Sequence, residues 1–312
     1  MTALYITSPR PGEGKTALAI GLARWLQGKG KKVGYLKPGP VDGDVAFARR
    51  VLGLGETVEA LSDRYLDASY PVVSRGKDVV LIEGMAPGEA QKVGAQVVIV
   101  VAFPGRTADQ VAELAGKAGP ALAGVVVNAV PVRRMLEARE TWTSTLQGRG
   151  VKVLGFLPQD RTLVALSVAE LAQHLEGNII NHPEKASDLV EDVMVGVLWV
   201  DPIPLYFGSK SAKAVLTRGD RPDIQLGALE TPTRCLILTK GMQPHPQIYY
   251  RAEDKGVPIM VTPQDTPQAM AIIDEAVVKT RFRQEQKLPR LLQLMEENLD
   301  MAALGRLAGV AA

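Results

Sequence analysis

The stretch ITSPRPGEGKTALAIG, Ile6–Gly21, decides how this chain is read. It joins a β-branched run, TALYITS (Thr2–Ser8), to KTALAIGLARWLQGKG, whose apolar spacing is helical and which ends at glycine. A glycine-rich turn between strand and helix aims successive backbone N–H groups into one concavity, where the helix dipole favours an anion. The amides of Gly12, Glu13, Gly14, Lys15, Thr16 and Ala17 are therefore expected to cradle phosphate. Lys15 would reach the outer phosphates, and the Thr16 hydroxyl would sit on Mg²⁺. One residue departs from the pattern. The first glycine of G-x-x-x-x-G-K-T falls on Pro9, which lacks an N–H and fixes φ. A stiffer entrance is expected, with the nest from Gly12 onward kept. The alternatives are a plain strand-to-helix turn, or a loop that has lost its nucleotide.

Beyond this loop, short apolar runs alternate with helical patterns. KKVGYLKPG, KDVVLIEG, AQVVIVVAF, LAGVVVNAV and VKVLGFLP read as strands, and the near-continuous apolar character of several suits strands covered on both faces. DVAFARRVLGL, TADQVAELAGKAG and the charged segment Val132–Gly148 read as helices. This is the pattern of an α/β, doubly wound, mostly parallel sheet over residues 1–176. Polar EGNIINHPEKASD reads as a linker near 177–188. A second alternation over 189–280 (VMVGVLWV, KAVLTRG, a helix from Pro222, RCLILTKG, PQIYYRAEDKG, VPIMVT, a helix from Thr266) predicts a smaller α/β domain. The tail, 281–312, carries apolar residues at helical spacing. It would cap the second domain or dock a partner.

Composition narrows the classes. In 312 residues, 36 basic and 34 acidic side chains leave a formal charge of +2, which argues against nucleic-acid binding by bulk phosphate neutralisation. No apolar run approaches the ~20 residues a membrane span needs, and no membrane partner is expected. A single cysteine, Cys235, and no leader-like start suit a reducing cytoplasm. The three histidines do not pair with Cys235 at metal-ligand spacing.

The remaining candidates lie at strand ends, where such sheets bind ligands. Glu83 closes VLIEG and would hold the metal or cap the next turn. Lys37 ends the second strand and is the candidate for holding substrate. Asp42 and Asp44 follow as metal or substrate contacts, with Asp44 favoured for the metal, or as exposed loop charges. Asn128 would face an adenine edge or cap a turn. In TRGDRPD, Arg218 and Arg221 could fork around a phosphate or carboxylate, or pair with Asp220 and Asp223 to fix the loop. Lys240 would add charge there or be solvated.

PGEGKT, LKP, VLIEG and GVVVN, in this order and spacing, resemble the dethiobiotin synthetase and cobyrinic acid a,c-diamide synthase group of P-loop proteins. VLTRGDRPDIQLGAL, CLILTKGMQPHPQI and GVPIMVTPQDT resemble a DRTGG domain. Asp220, Arg221, Thr239 and Gly241 match its pattern, and Lys240 stands where its first glycine would be. The pairing is similar to the N-terminal regulatory half of long bacterial phosphate acetyltransferases. That resemblance implies ATP and Mg²⁺ as cofactors, a homodimer, and a partner in phosphotransacetylase or acetate metabolism. It implies no acetyl transfer by this stretch of chain. Small hydroxylic residues after the second strand of dethiobiotin synthetases are replaced here by PGPVDGD. A regulatory module that binds ATP and senses an effector is therefore expected ahead of an ATP-dependent synthetase that activates a carboxylate or carbamate. A pure scaffold is the third reading.

Overall fold

In a computed structural model, residues 1–103, 105, 107–196 and 203–310 are described. The chain forms two compact units, 1–160 with 281–312, and 161–280. The core of the first is a six-stranded sheet: β1 (Thr2–Thr7), β2 (Val33–Leu36), β3 (Val79–Gly84), β4 (Gln96–Ala102), β5 (Leu122–Val130) and β6 (Val153–Pro158). Every pairing is parallel, in the order β2-β3-β1-β4-β5-β6. The doubly wound sheet expected from the alternating pattern is present. β1 lies between β3 and β4, so the chain reverses its direction of travel across the sheet there. The crevice beyond the carboxyl end of β1 is where such folds take ligands.

Helix α1 (Lys15–Gly28) follows β1 and buries Leu18, Ala19, Ile20, Leu22, Ala23 and Leu26. Helix α2 (Gly43–Leu52) starts at Asp42, whose side chain accepts the N–H groups of Asp44 and Val45 at 2.9 and 3.1 Å. The helix Ala108–Ala118 opens with a capping box between Thr107 and Gln110.

The tail departs from expectation. Residues 281–312 join the first unit instead of capping the second. The helix Leu288–Asn298 buries Leu288, Leu291, Leu294 and Met295. It approaches α1 closely because residue 21 is glycine: a Cβ there would fall 2.5 Å from Met295 Sδ and 3.0 Å from Leu291 Cδ2. Beyond it, Leu299 bridges Gly155 of β6, and Asp300 N–H donates to the Leu154 carbonyl at 2.7 Å. Amphipathic spacing told that the tail would bury a face, but not against which core.

The second unit carries four parallel strands in the order Asp192–Gly196, Lys213–Arg218, Thr233–Thr239 and Ile259–Val261, with Asn178–Ile179 antiparallel at the edge. The stretch read as a linker thus contributes a strand and, at Asn181, a buried amide that accepts from Ile259 N–H (2.6 Å) and donates to the Val257 carbonyl (3.1 Å). Its polar composition combines exposed positions such as Asn178 and Glu184 with side-chain bonding to backbone at Asn181. The second half of the expected strand VMVGVLWV, 197–200, lies outside the described residues. Successive strand residues face two cores. Ala214, Leu216, Cys235 and Ile237 pack on one side with Leu171 and Ile273. Val215, Leu236 and Leu238 pack on the other with Ile224, Ile248 and Ala252. Burial pushes the Cys235 thiol up to about 12, as befits a core residue without chemistry.

Two measurements check this architecture. Met295→Ala is expected to destabilise the first unit by about 2–5 kcal/mol in chemical denaturation, because a fully buried side chain leaves a cavity. Lys213 is buried, and among the described residues its partners are neutral acceptors: the Lys210 carbonyl (3.2 Å), Thr231 Oγ1 (3.0 Å) and the Pro232 carbonyl (2.9 Å). Burial moves its pKa from 10.5 down to about 8. Between these values the unfolded chain keeps a proton that the folded chain has released, so this group makes stability rise with pH through that window. Urea midpoints taken at pH 7.5 and 9.5 should show that Lys213→Met removes this rise.

Candidate functional site

β1 delivers the loop that follows it to the crevice. Gly12 and Gly14 have φ of 83° and 102°, a region that costs glycine little. The Leu18 N–H bonds the Gly14 carbonyl at 3.0 Å and closes the first turn of α1. Among the described residues, the amides of Gly12, Gly14, Lys15, Thr16 and Ala17 donate to no loop or turn carbonyl. The loop thus keeps these five donors clear of such bonds, with Pro9 at its entrance. Ser8 braces the entrance. Its hydroxyl donates to the Arg10 carbonyl and accepts from Lys15 Nζ at 2.8 Å.

Lys15 is buried, 7% exposed, and its Nζ lies 3.2 Å from Met85 Sδ. Desolvation lowers its pKa, and Glu83 partly offsets this. Asn128, at the end of β5, donates to the Glu13 carbonyl at 2.9 Å. It sits so close that a Cβ on Gly14 would fall 2.1 Å from its amide nitrogen. The amide read as an adenine contact or turn cap thus clamps the loop across the sheet.

On the far side of Lys15 lies a charge cluster. Glu83, 4% exposed, accepts from Thr16 Oγ1 (2.9 Å) and from the buried Tyr35 hydroxyl (2.9 Å). Burial and Glu83 together push the Tyr35 pKa well above the usual range. Thr16 Oγ1 is also 3.5 Å from Asp44 Oδ2. Lys37, expected to hold substrate, turns its ammonium into this group. Its Nζ lies 2.5 Å from Asp44, 2.9 Å from Asp42 and 3.5 Å from Glu83. Burial alone would lower the Lys37 pKa, but these carboxylates outweigh it and raise it. Arg283 Nε, from the tail, completes the cluster at 2.6 Å from Asp44 Oδ1. Desolvation would raise the Asp44 pKa, and Lys37 and Arg283 overcome it and lower it.

Thr16, Asp44 and Glu83 are thus brought together as expected. Their hard oxygen donors suit a small divalent cation, and a positive centre, Lys37 Nζ, already lies among the carboxylates. Among the described residues, no group of three or more His, Cys, Asp or Glu is arranged as a metal cage of its own. Asp42, open to two readings, is both the α2 cap and a Lys37 partner.

In the second unit the candidate effector residues are used locally. Arg218 pairs with Asp220. Arg221 makes a two-pronged pair with Asp223, at 3.0 and 2.7 Å. The fork considered for an external anion is made with the chain's own aspartates. Gln225, fully buried, donates to the Arg218 and Gly219 carbonyls at 2.8 and 3.0 Å and fixes the loop from beneath. Lys240 has φ 63°, and its N–H bonds the Gln264 carbonyl at 2.8 Å. That geometry is why the position accepts glycine readily.

Sequence reasoning missed Ser8, Tyr35 and Arg283. Ser8 and Tyr35 sit beside recognised motifs. Arg283 is 239 residues from Asp44, and no local pattern signals such a pairing.

Comparison with known proteins places these features. Residues 4–171 match the CobQ/CobB/MinD/ParA nucleotide binding domain, and residues 170–276 match the DRTGG domain. The phosphate acetyltransferase of Deinococcus radiodurans is 26% identical over 371 residues, covering 100% of this chain and 52% of that protein. The hydrogenobyrinate a,c-diamide synthase of Brucella ovis is 26% identical over 214 residues, 61% of this chain and 48% of that protein. The chain thus spans about half the length of these curated relatives. Among solved structures, the MinC:MinD cell division protein complex of Aquifex aeolicus aligns with TM-score 0.41 and 17% identity over 53% of this chain and 84% of that one. The nucleotide-binding match takes in more than half of the chain, which therefore belongs to the CobQ/CobB/MinD/ParA nucleotide-binding domain family and carries a DRTGG domain after it.

Proposed function

We propose that this chain is a nucleotide-responsive regulatory module. ATP with Mg²⁺ binds the first unit, and a small anionic or nucleotide effector is sensed by the second. The resulting state is passed to a phosphotransacetylase or another metabolic partner in the cytoplasm, with the module acting as a homodimer. The observation that supports this reading is the loop before α1, in which the amides of Gly12, Gly14, Lys15, Thr16 and Ala17 donate to no loop or turn carbonyl among the described residues, with Lys15 Nζ on Ser8. The similarity to half of a phosphate acetyltransferase supports the regulatory part and the class of partner.

Thr16, Glu83 and Asp44 would hold the metal, with Lys37 and Arg283 giving way, since a divalent ion and two organic cations compete for the same carboxylates. A bound Mg²⁺ would neutralise phosphate charge there. The chain's own residues do the rest: the nest orients the phosphates, and Lys15 adds positive potential. In the second unit, an anionic effector would draw Arg218 from Asp220 or Arg221 from Asp223. A second reading, an ATP-dependent synthetase, is favoured by the likeness to hydrogenobyrinate a,c-diamide synthase. Lys37 would then hold a carboxylate or carbamate once released from its cluster.

Calorimetric titration of ATP, with and without Mg²⁺, into the protein and into Lys15→Ala tests the proposal. Binding that needs Lys15 and strengthens with Mg²⁺ is expected. Absence of binding under both conditions would leave only the scaffold. Phosphate release over many turnovers per minute, dependent on an added carboxylic acid, would favour the synthetase.

A further inference from the structure

The tail segment that begins at Arg281 crosses the phosphate site with two cations. Arg283 bonds Asp44, and its guanidinium occupies the space beside Gly43, where a Cβ would fall 2.6 Å from Nη1. The intervening Phe282 meets Phe47 of α2 edge to face, with centroids 6.0 Å apart. These contacts fasten the segment to the start of α2. Arg281 is left exposed, and its Nη1 is 3.5 Å from the position a Cβ on Gly12 would take. Gly12 is the first residue of the amide nest. Lys15 lies three residues further along the same loop, with its Nζ on Ser8 Oγ at 2.8 Å, so the loop has a cation at its first residue and another within it. Among the described residues Arg281 has no carboxylate partner. Two cations beside a loop of N–H donors suit a multiply charged anion, even with Glu13 and Glu83 acting on Lys15.

We propose that Arg281 is a phosphate-binding residue of the nucleotide site, supplied by the tail, and that it engages the outermost phosphate together with Lys15. Phe282, edge to face on Phe47, is the positioning residue that holds it there once Arg283 has given way to the metal. The proposal rests on the nucleotide reading given above and adds to it a ligand that lies outside the strand–loop–helix motif. It also gives the site a way to distinguish ATP from ADP: the loop amides hold phosphates common to both, whereas Arg281 meets the one that only ATP carries.

The test titrates ATP and ADP, each with Mg²⁺, into the full chain, into Arg281→Ala and into Lys15→Ala. Arg281 is exposed, so its truncation should leave the melting temperature unchanged. Arg281→Ala is expected to weaken ATP by roughly tenfold or more, the effect of losing one charge-assisted hydrogen bond, and ADP much less. Equal ATP affinity in the protein and in Arg281→Ala overturns the assignment, as does an equal loss for ATP and ADP. Either result leaves the nucleotide reading standing, provided Lys15→Ala still abolishes binding. Failure of the unaltered protein to bind either nucleotide overturns both.

Discussion

A nearly buried carboxylate at the end of a central strand sets the terms for everything around it. Glu83 is 4% exposed, and an ionised acid at that depth is costly unless it is bonded and balanced. Thr16 and Tyr35 supply hydrogen bonds from α1 and β2, and Lys37 supplies charge. Lys37 in turn needs more than one acid, and Asp42 and Asp44 at the start of α2 provide them. Asp44 then carries surplus negative charge, which Arg283 meets. Each link answers the electrostatic demand of the one before it. The result ties four elements of the sheet unit, β3, α1, β2 and α2, to a segment from the far end of the chain. A cluster balanced in this way is responsive, because any cation or polyphosphate that enters must change several partners together.

Much of this could be read from the residues. All six strands of the first unit follow from β-branched runs between glycine and charged punctuation, and the phosphate loop from the Gly14-Lys15-Thr16 triplet between strand and helix. Strand ends pointed to Glu83, Lys37 and Asn128, and the structure gathers all three around the loop after β1. What residue type could not give was each group's partner. Lys37 at a strand end reads equally well as a substrate contact or a counter-ion, and only the fold, by placing three carboxylates beside it, decides its present use. Arg218 and Arg221 show the same ambiguity, and in the structure each pairs with an aspartate two residues away. The helix Leu66–Val73 was hidden by its internal Pro71, and Asn178–Ile179 by the polar character of an edge strand. The tail's location was beyond local periodicity, since an apolar stripe states that a face is buried and not what buries it.

The two units divide their chemistry differently. The first leaves backbone donors available and stores opposed charges around them. In the second, arginine–aspartate pairs close on themselves and a buried glutamine holds the connecting loop. An anion reaching the second unit would need to displace an existing ion pair. Such exchange favours multiply charged ligands that offer more than the lost carboxylate.

The order of the chain also bears on its synthesis. The sheet of the first unit is complete by Pro158, yet the helix that seals α1 against water begins at Leu288, after the whole of 161–280 has been made. At ordinary translation speeds that interval is on the order of ten seconds. Throughout it, the apolar side of α1 around Gly21 stands uncovered on the ribosome. Segments in that condition are ones that chaperones hold, and a ribosome stalled within the second unit would release a first unit lacking its cover.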